Sequence, residues 1–123
     1  MAPPGREIIL GITRDATFGP MLMVGLGGIH VEVLRDVVFA PVPIGQEEAL
    51  LLLGELKGAA LLDGVRGMPP ADRTALAKLM TTLSRFAADH ADLIAEIDLN
   101  PVIVHPQGQG LTVVDALIVK RKP

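Results

Sequence analysis

The chain has 123 residues, enough for one domain with a core of its own, and half of them are apolar. With three Phe and no Trp or Tyr the core must be aliphatic; a net charge of −3 argues against nucleic acid as a partner, and the lack of cysteine removes a disulfide framework and any support for secretion. No apolar run reaches the roughly 18 residues of a membrane span, and Met1 to Gly5 lacks the basic and apolar regions of a signal peptide, so no membrane partner and a cytoplasmic location are expected.

Residues 1–5 read as an arbitrary, disordered start. Arg6 to Arg14 is a strand rich in β-branched residues, and Asp15 to Pro20 is a turn. Pro20 to Gly25 is an apolar strand without clean alternation, which predicts cover on both faces. Gly27-Gly28 breaks it. Ile29 to Leu34 alternates as a third strand. Val37 to Ile44 is a fourth, and its two prolines confine it to a sheet edge or a loose arm.

Gln46 to Leu56 predicts a Leu-rich helix with Ala49, Leu52, Leu53 and Leu56 on one stripe; Leu50 and Leu51 widen the stripe and suggest cover on more than one side. Gly58 suits its C-cap. Ala59 to Gly67 is a short apolar segment ending in a loop. Pro69-Pro70 then sets up a second helix, with Asp72 at the positive end of the helix dipole. Leu76, Leu79, Met80, Leu83, Phe86 and Ala87 repeat at helical spacing to about Ala91. Two closing strands follow, about Leu93 to Val104 and Leu111 to Val119. The linker His105 to Gly110 reads as a hairpin loop. Lys120-Arg121-Lys122 is a solvated basic tail. The order of strands, two helices, then strands implies an α+β fold: a mainly antiparallel sheet with helices on one face.

The chemistry gathers at the end of the chain. Glu96, Asp98 and Asn100 fall within five residues of one strand, and Pro101 closes the run. Antiparallel pairing of the last two strands brings Asn100 close to Asp115. Two hard oxygen ligands with coordination positions left open suit Mg²⁺ carrying nucleotide phosphates. Asn-Pro also starts turns, and Asp115 also reads as an exposed strand end. Glu96 and Asp98 alternate with Ile97 and Leu99 and share one face, as further metal contacts or as a plain polar face. Gly25, Gly27 and Gly28 could bring backbone N–H groups close to an anion, although such glycines are more often a bulge or a tight turn. Arg14 could pair with a phosphate, with Asp15, or with neither. Arg66 precedes a helix start, where an anion would be welcome, or is a surface Arg. Glu32 is a candidate active-site carboxylate. His30 has no visible acid or base partner, and His90 and His105 are expected in solvent. The histidine spacing matches no three-His metal site.

Read together, five motifs carry a resemblance. Arg14-Asp15-Ala16-Thr17-Phe18-Gly19-Pro20, Gly25-Leu26-Gly27-Gly28, Arg66-Gly67-Met68-Pro69-Pro70-Ala71-Asp72, Glu96-Ile97-Asp98-Leu99-Asn100-Pro101 and the strand ending in Asp115 occur in the family order. The chain resembles, over residues 6–119, the C-terminal half of the ATP-grasp domain of ADP-forming acyl-CoA synthetases of the succinyl-CoA synthetase beta-subunit type. The resemblance implies a C-terminal ATP-grasp lobe at residues 6–119. It assigns Mg²⁺ to Asn100 and Asp115 and puts the glycine loop near the active site, with Mg²⁺ and ATP or ADP as cofactors of the complete enzyme. It implies as partners the N-terminal ATP-grasp lobe and a CoA-binding domain or subunit, neither of which occurs in this sequence. By itself the chain is therefore expected not to complete the reaction. The same lobe occurs in bacterial protein acetyltransferases, so a nucleotide- or acyl-CoA-sensing module is an alternative. A structural dimerisation piece is another, and self-association follows from a face built for a missing lobe.

Overall fold

A computed structural model describes residues 6–27, 36–63 and 69–122. The elements are β1 (Arg6–Asp15), β2 (Gly19–Leu26), β3 (Val37–Pro41), α1 (Gln46–Glu55), a 3-10 turn (Ala59–Asp63), α2 (Arg73–Asp89), β4 (Ile94–Val104), β5 (Leu111–Val113) and β6 (Ala116–Lys120). The expected third strand, Ile29 to Leu34, lies outside the described residues, as does most of the loop before Pro69.

The six strands form one antiparallel sheet in the order β3-β2-β1-β4, with β5 and β6 sharing the far side of β4. The prolines act as expected: β3 stops at Pro41 and, among the described strands, lies at an edge. Alternation sets the layers. Ile8, Leu10 and Ile12 on β1, Leu22, Val24 and Leu26 on β2, and Ile97, Leu99, Val102 and Val104 on β4 are buried beneath the helices. Between them, Thr13, Met21, Met23, Phe39, Glu96 and Asp98 stand on the opposite face, which no described element covers. The expectation that β2 is covered on both faces therefore does not hold among the described residues.

Both helices bury one stripe. From α1 come Ala49 and Leu53, with Leu56 just beyond; from α2 come Leu76, Ala77, Met80, Leu83, Ser84 and Ala87. Two-sided cover of α1 is not found: Leu51 is 72% exposed and Leu50 39%. Phe86, expected in the core, is 40% exposed and stacks on His90 at 4.4 Å between ring centroids. Ser84 is the polar residue that periodicity overlooked. Its hydroxyl accepts from the Ile44 N–H (3.1 Å) and donates to the Thr81 carbonyl (2.9 Å), so its burial leaves no polar group unpaired.

The helix ends differ from each other. Asp72 caps α2, its Oδ1 accepting from the Ala75 N–H at 3.1 Å. Gly58 is not the C-cap of α1. The helix closes through Leu56, whose backbone is extended, and the Gly58 N–H goes instead to the buried carboxylate of Asp36, which also accepts from Lys57 (2.6 Å each).

Candidate functional site

On β4 the inward residues Ile97 and Leu99 turn Glu96 and Asp98 to the open face, as the alternation predicts. The pairing runs straight across the sheet there: Phe39 opposite Met23, Met23 opposite Gly11, Gly11 opposite Asp98, and Asp98 opposite Leu117. Gly11 sits at the centre of this row. A side chain there would begin 3.0 Å from the Ile97 carbonyl oxygen and 3.5 Å from the Met23 methyl. Its absence leaves a depression of about 230 Å³ lined by Gly11, Thr13, Met23, Glu96 and Asp98. Gly11 and Met23 were not singled out from sequence. The available signal was a glycine in mid-strand, which marks a close approach or an open space.

Asn100 and Asp115 meet as expected, through a feature that the sequence pattern did not show. The register between β4 and the last strands is the same on both sides, Val102 opposite Val113 and Leu99 opposite Ala116. Asn100-Pro101 therefore faces Val114-Asp115. Two hydrogen bonds close this segment, Asn100 N–H to the Asp115 carbonyl (3.2 Å) and Val114 N–H to the Pro101 carbonyl (3.0 Å). On the other side of β4, Ile9 alone opposes Asn100 and Pro101, because Ile8 pairs with Val102 and Leu10 with Leu99. That is a β-bulge, and bulges re-aim side chains next to functional sites. The single strand expected over Leu111 to Val119 is accordingly two, β5 and β6, broken at Val114-Asp115. The Asn100-Pro101 peptide is cis. Both Asn100 and Asp115 are exposed, and one Asp115 carboxylate oxygen accepts from the Ala116 N–H at 2.9 Å.

Among the described residues no three His, Asp or Glu side chains converge as a metal cage. Glu96, Asp98 and Asp115 are strung along the strand pair, not gathered round a point. The donor set still fits Mg²⁺. An amide oxygen and a carboxylate on facing residues are hard ligands, and Mg²⁺ keeps several waters and takes phosphate oxygens for the rest.

The remaining candidates have other employment. Gly25 is tightly packed: a Cβ there would lie 2.6 Å from a Val37 methyl and 3.1 Å from the Asp36 carbonyl. The Gly27 N–H donates to the Glu7 carbonyl at 2.9 Å and is not a free donor for a phosphate. Gly28, Glu32, His30 and Arg66 lie outside the described residues. Arg14 stands on the helix side of β1, and its guanidinium donates to the carbonyls of Ala91 (2.9 Å) and Ile94 (3.4 Å), away from Glu96 and Asp98. Asp15 organises the first hairpin by accepting from Thr17 and Phe18, and Gly19 takes the positive φ that this turn requires. His105, expected in solvent, is 6% exposed, with Nε2 2.8 Å from the Thr112 hydroxyl. His90 is half-buried, with Nδ1 2.9 Å from the Phe86 carbonyl.

Comparison with known proteins bears on this geometry. The model of a family described as an ATP-grasp domain matches residues 1–119. The chain is 45% identical over 119 residues to the beta subunit of acetate–CoA ligase [ADP-forming] II from Pyrococcus furiosus, covering 97% of this chain and 50% of that one. It is 40% identical over 118 residues to 4-hydroxybutyrate–CoA ligase [ADP-forming] from Nitrosopumilus maritimus, covering 96% of this chain and 17% of that one. Among solved structures it superposes with a TM-score of 0.89 and 45% identity on the dinucleotide-forming acetyl-coenzyme A synthetase of Ca. Korarchaeum cryptofilum in complex with coenzyme A and Mg-AMPPCP, covering 98% of this chain and 55% of that one. The chain thus spans about half the length of the beta subunit that it matches, and a smaller share of the longer ligase.

Proposed function

The chain belongs to the ATP-grasp domain family, and from that membership we propose that it supplies the metal and phosphate ligands of an ADP-forming acyl-CoA synthetase. The complete enzyme interconverts acyl-CoA, ADP and phosphate with free acid, ATP and CoA. The observation that carries this reading is the facing pair Asn100 and Asp115, held by the Asn100 N–H to Asp115 carbonyl bond at a bulge. The Asn100 amide oxygen and the Asp115 carboxylate would hold Mg²⁺, which supplies neutralisation of phosphate charge when bound. The Glu96 and Asp98 carboxylates, on the same strand, would order the water around the ion. The depression over Gly11 leaves room for the ligand to approach the sheet.

Family membership and the incomplete span of the relatives support two partners: an N-terminal ATP-grasp lobe, and a CoA-binding domain or subunit. The open sheet face is where such a lobe would sit. Without it, the exposed Val37 and Phe39 at one end and Leu117 and Val119 at the other favour self-association of the isolated chain.

The test is calorimetric titration of Mg²⁺-ADP into this chain, beside the double variant Asn100→Ala/Asp115→Ala. Binding that disappears in the variant supports the assignment. Binding that survives unchanged overturns it, and the phosphate ligands then lie elsewhere.

A further inference from the structure

Asp72 is buried at 9% exposure and accepts three backbone hydrogen bonds. Oδ1 takes the Ala75 N–H and so caps α2. Oδ2 takes the N–H groups of Gly108 (3.1 Å) and Gly110 (2.8 Å), from the far side of the β4–β5 hairpin. Both glycines have positive φ, +86° and +78°, which aims their N–H groups inward at a single oxygen. The neighbourhood reinforces the link: the Asp72 N–H donates to the His105 carbonyl and the Gln107 N–H to the Pro70 carbonyl, both at 2.8 Å, and Ala71 pairs with Pro106. Helix capping needs only one of these bonds.

The hairpin leads directly to Asp115. Gly110 precedes β5, which is three residues long and pairs with β4 at Leu111, Thr112 and Val113 alone. Beyond it, β6 pairs with β4 from Ala116 onward but is exposed throughout. The segment between the two strands that carries Asp115 is thus held by main-chain pairing, with little burial of its own to support it. We infer that Asp72 is a positioning residue for the Asn100–Asp115 pair, its Oδ2 holding the root of the strand that presents Asp115. This rests on the metal reading above only for what the pair does; the clamp itself is independent of it.

The test uses the whole chain and the substitution Asp72→Ser. Serine caps a helix about as well as aspartate, so the bond to Ala75 is kept, while its short side chain gives up Gly108 and Gly110. Amide hydrogen exchange is read at Asn100 and Val114, relative to Leu10 and Val24 in the central strands. Exchange at Asn100 and Val114 should quicken by about tenfold, since two charge-assisted hydrogen bonds are lost locally. Ser84→Ala, which removes a buried hydroxyl remote from the hairpin, should lower overall stability and leave that ratio unchanged. Asp72→Asn provides the same readout should the serine variant fail to fold. Wild-type protection of Asn100 and Val114 in the Asp72 variants overturns the inference. Mn²⁺ added to the wild type separates the two claims: broadening of the Asn100 and Asp115 signals supports the metal reading, and no broadening overturns it, while the exchange ratio alone decides the clamp. If both claims hold, Asp72→Ser also raises the Mn²⁺ concentration for half-saturation by about tenfold.

Discussion

Asp72 shows how far one side chain's role depends on partners distant in sequence. Its carboxyl is held below the ordinary value of 3.8, first by the Gly110 N–H and then by Ala75 and Gly108, with burial opposing and Lys78 adding a smaller attraction. Because the folded pKa lies below the unfolded one, folding favours the charged form. The stability it contributes is complete above about 3.8 and is lost as pH falls through the lower folded value. Asp72→Asn should therefore be least stable relative to the wild type at neutral pH, and the gap should close in acid. Urea unfolding of both chains at pH 7 and pH 3 reads this directly, and a gap independent of pH would contradict it. From the sequence Asp72 was legible as a helix start, because Pro69-Pro70 precedes it and the apolar period follows. The two glycines 36 and 38 residues away had no local signal that tied them to it. The same applies to Arg14 and Gly27, for which an anion contact is one of several readings in sequence and whose donors are bonded to carbonyls brought in by folding.

At the scale of elements, α2 has a long apolar period that marks its buried face, whereas six of the ten residues of α1 are Ala, Leu or Gly and the period is blurred. Only packing decides which leucines count. Leu53 is fully buried and Leu51 is 72% exposed, lining a shallow cavity with Ala40 and Glu55. Leu53→Ala should cost about 2–5 kcal/mol, and Leu51→Glu less than about 0.5 kcal/mol. Thermal or urea unfolding separates them, and equal losses would mean that both sides of α1 are covered. Strand β4 has a similar ambiguity. Strict alternation predicts a regular strand, whereas Leu99 and Val102 both point inward because Asn100-Pro101 bulges between them. A proline at the end of an apolar run marks an irregularity without telling where the flanking side chains go.

For the molecule as a whole, the sheet has one face packed by two helices and one face that no described element covers, with an acidic strip between apolar ends. Phe39 at one edge and Leu117 at the other are both more than half exposed, and exposed apolar side chains at the rims of a sheet face favour association. Light scattering should find the chain associating as concentration rises, and Phe39→Ser/Leu117→Ser should shift it toward monomer. A wild-type monomer at high concentration would sink that expectation.

By itself the sequence determined the aliphatic core, the α+β order, the exclusion of β3 from the centre of the sheet and the helix start at Asp72, because periodicity, proline and capping chemistry act over a few residues. It also carried the family resemblance and the pairing of Asn100 with Asp115, which a short hairpin loop makes almost a local matter. Tertiary structure alone decided which polar groups are already spent, which leucines reach the core, and that Gly11 opens a depression beside Asp98. Those outcomes depend on hydrogen-bond partners and neighbours dozens of residues away, and no local pattern of side chains records where such partners arrive.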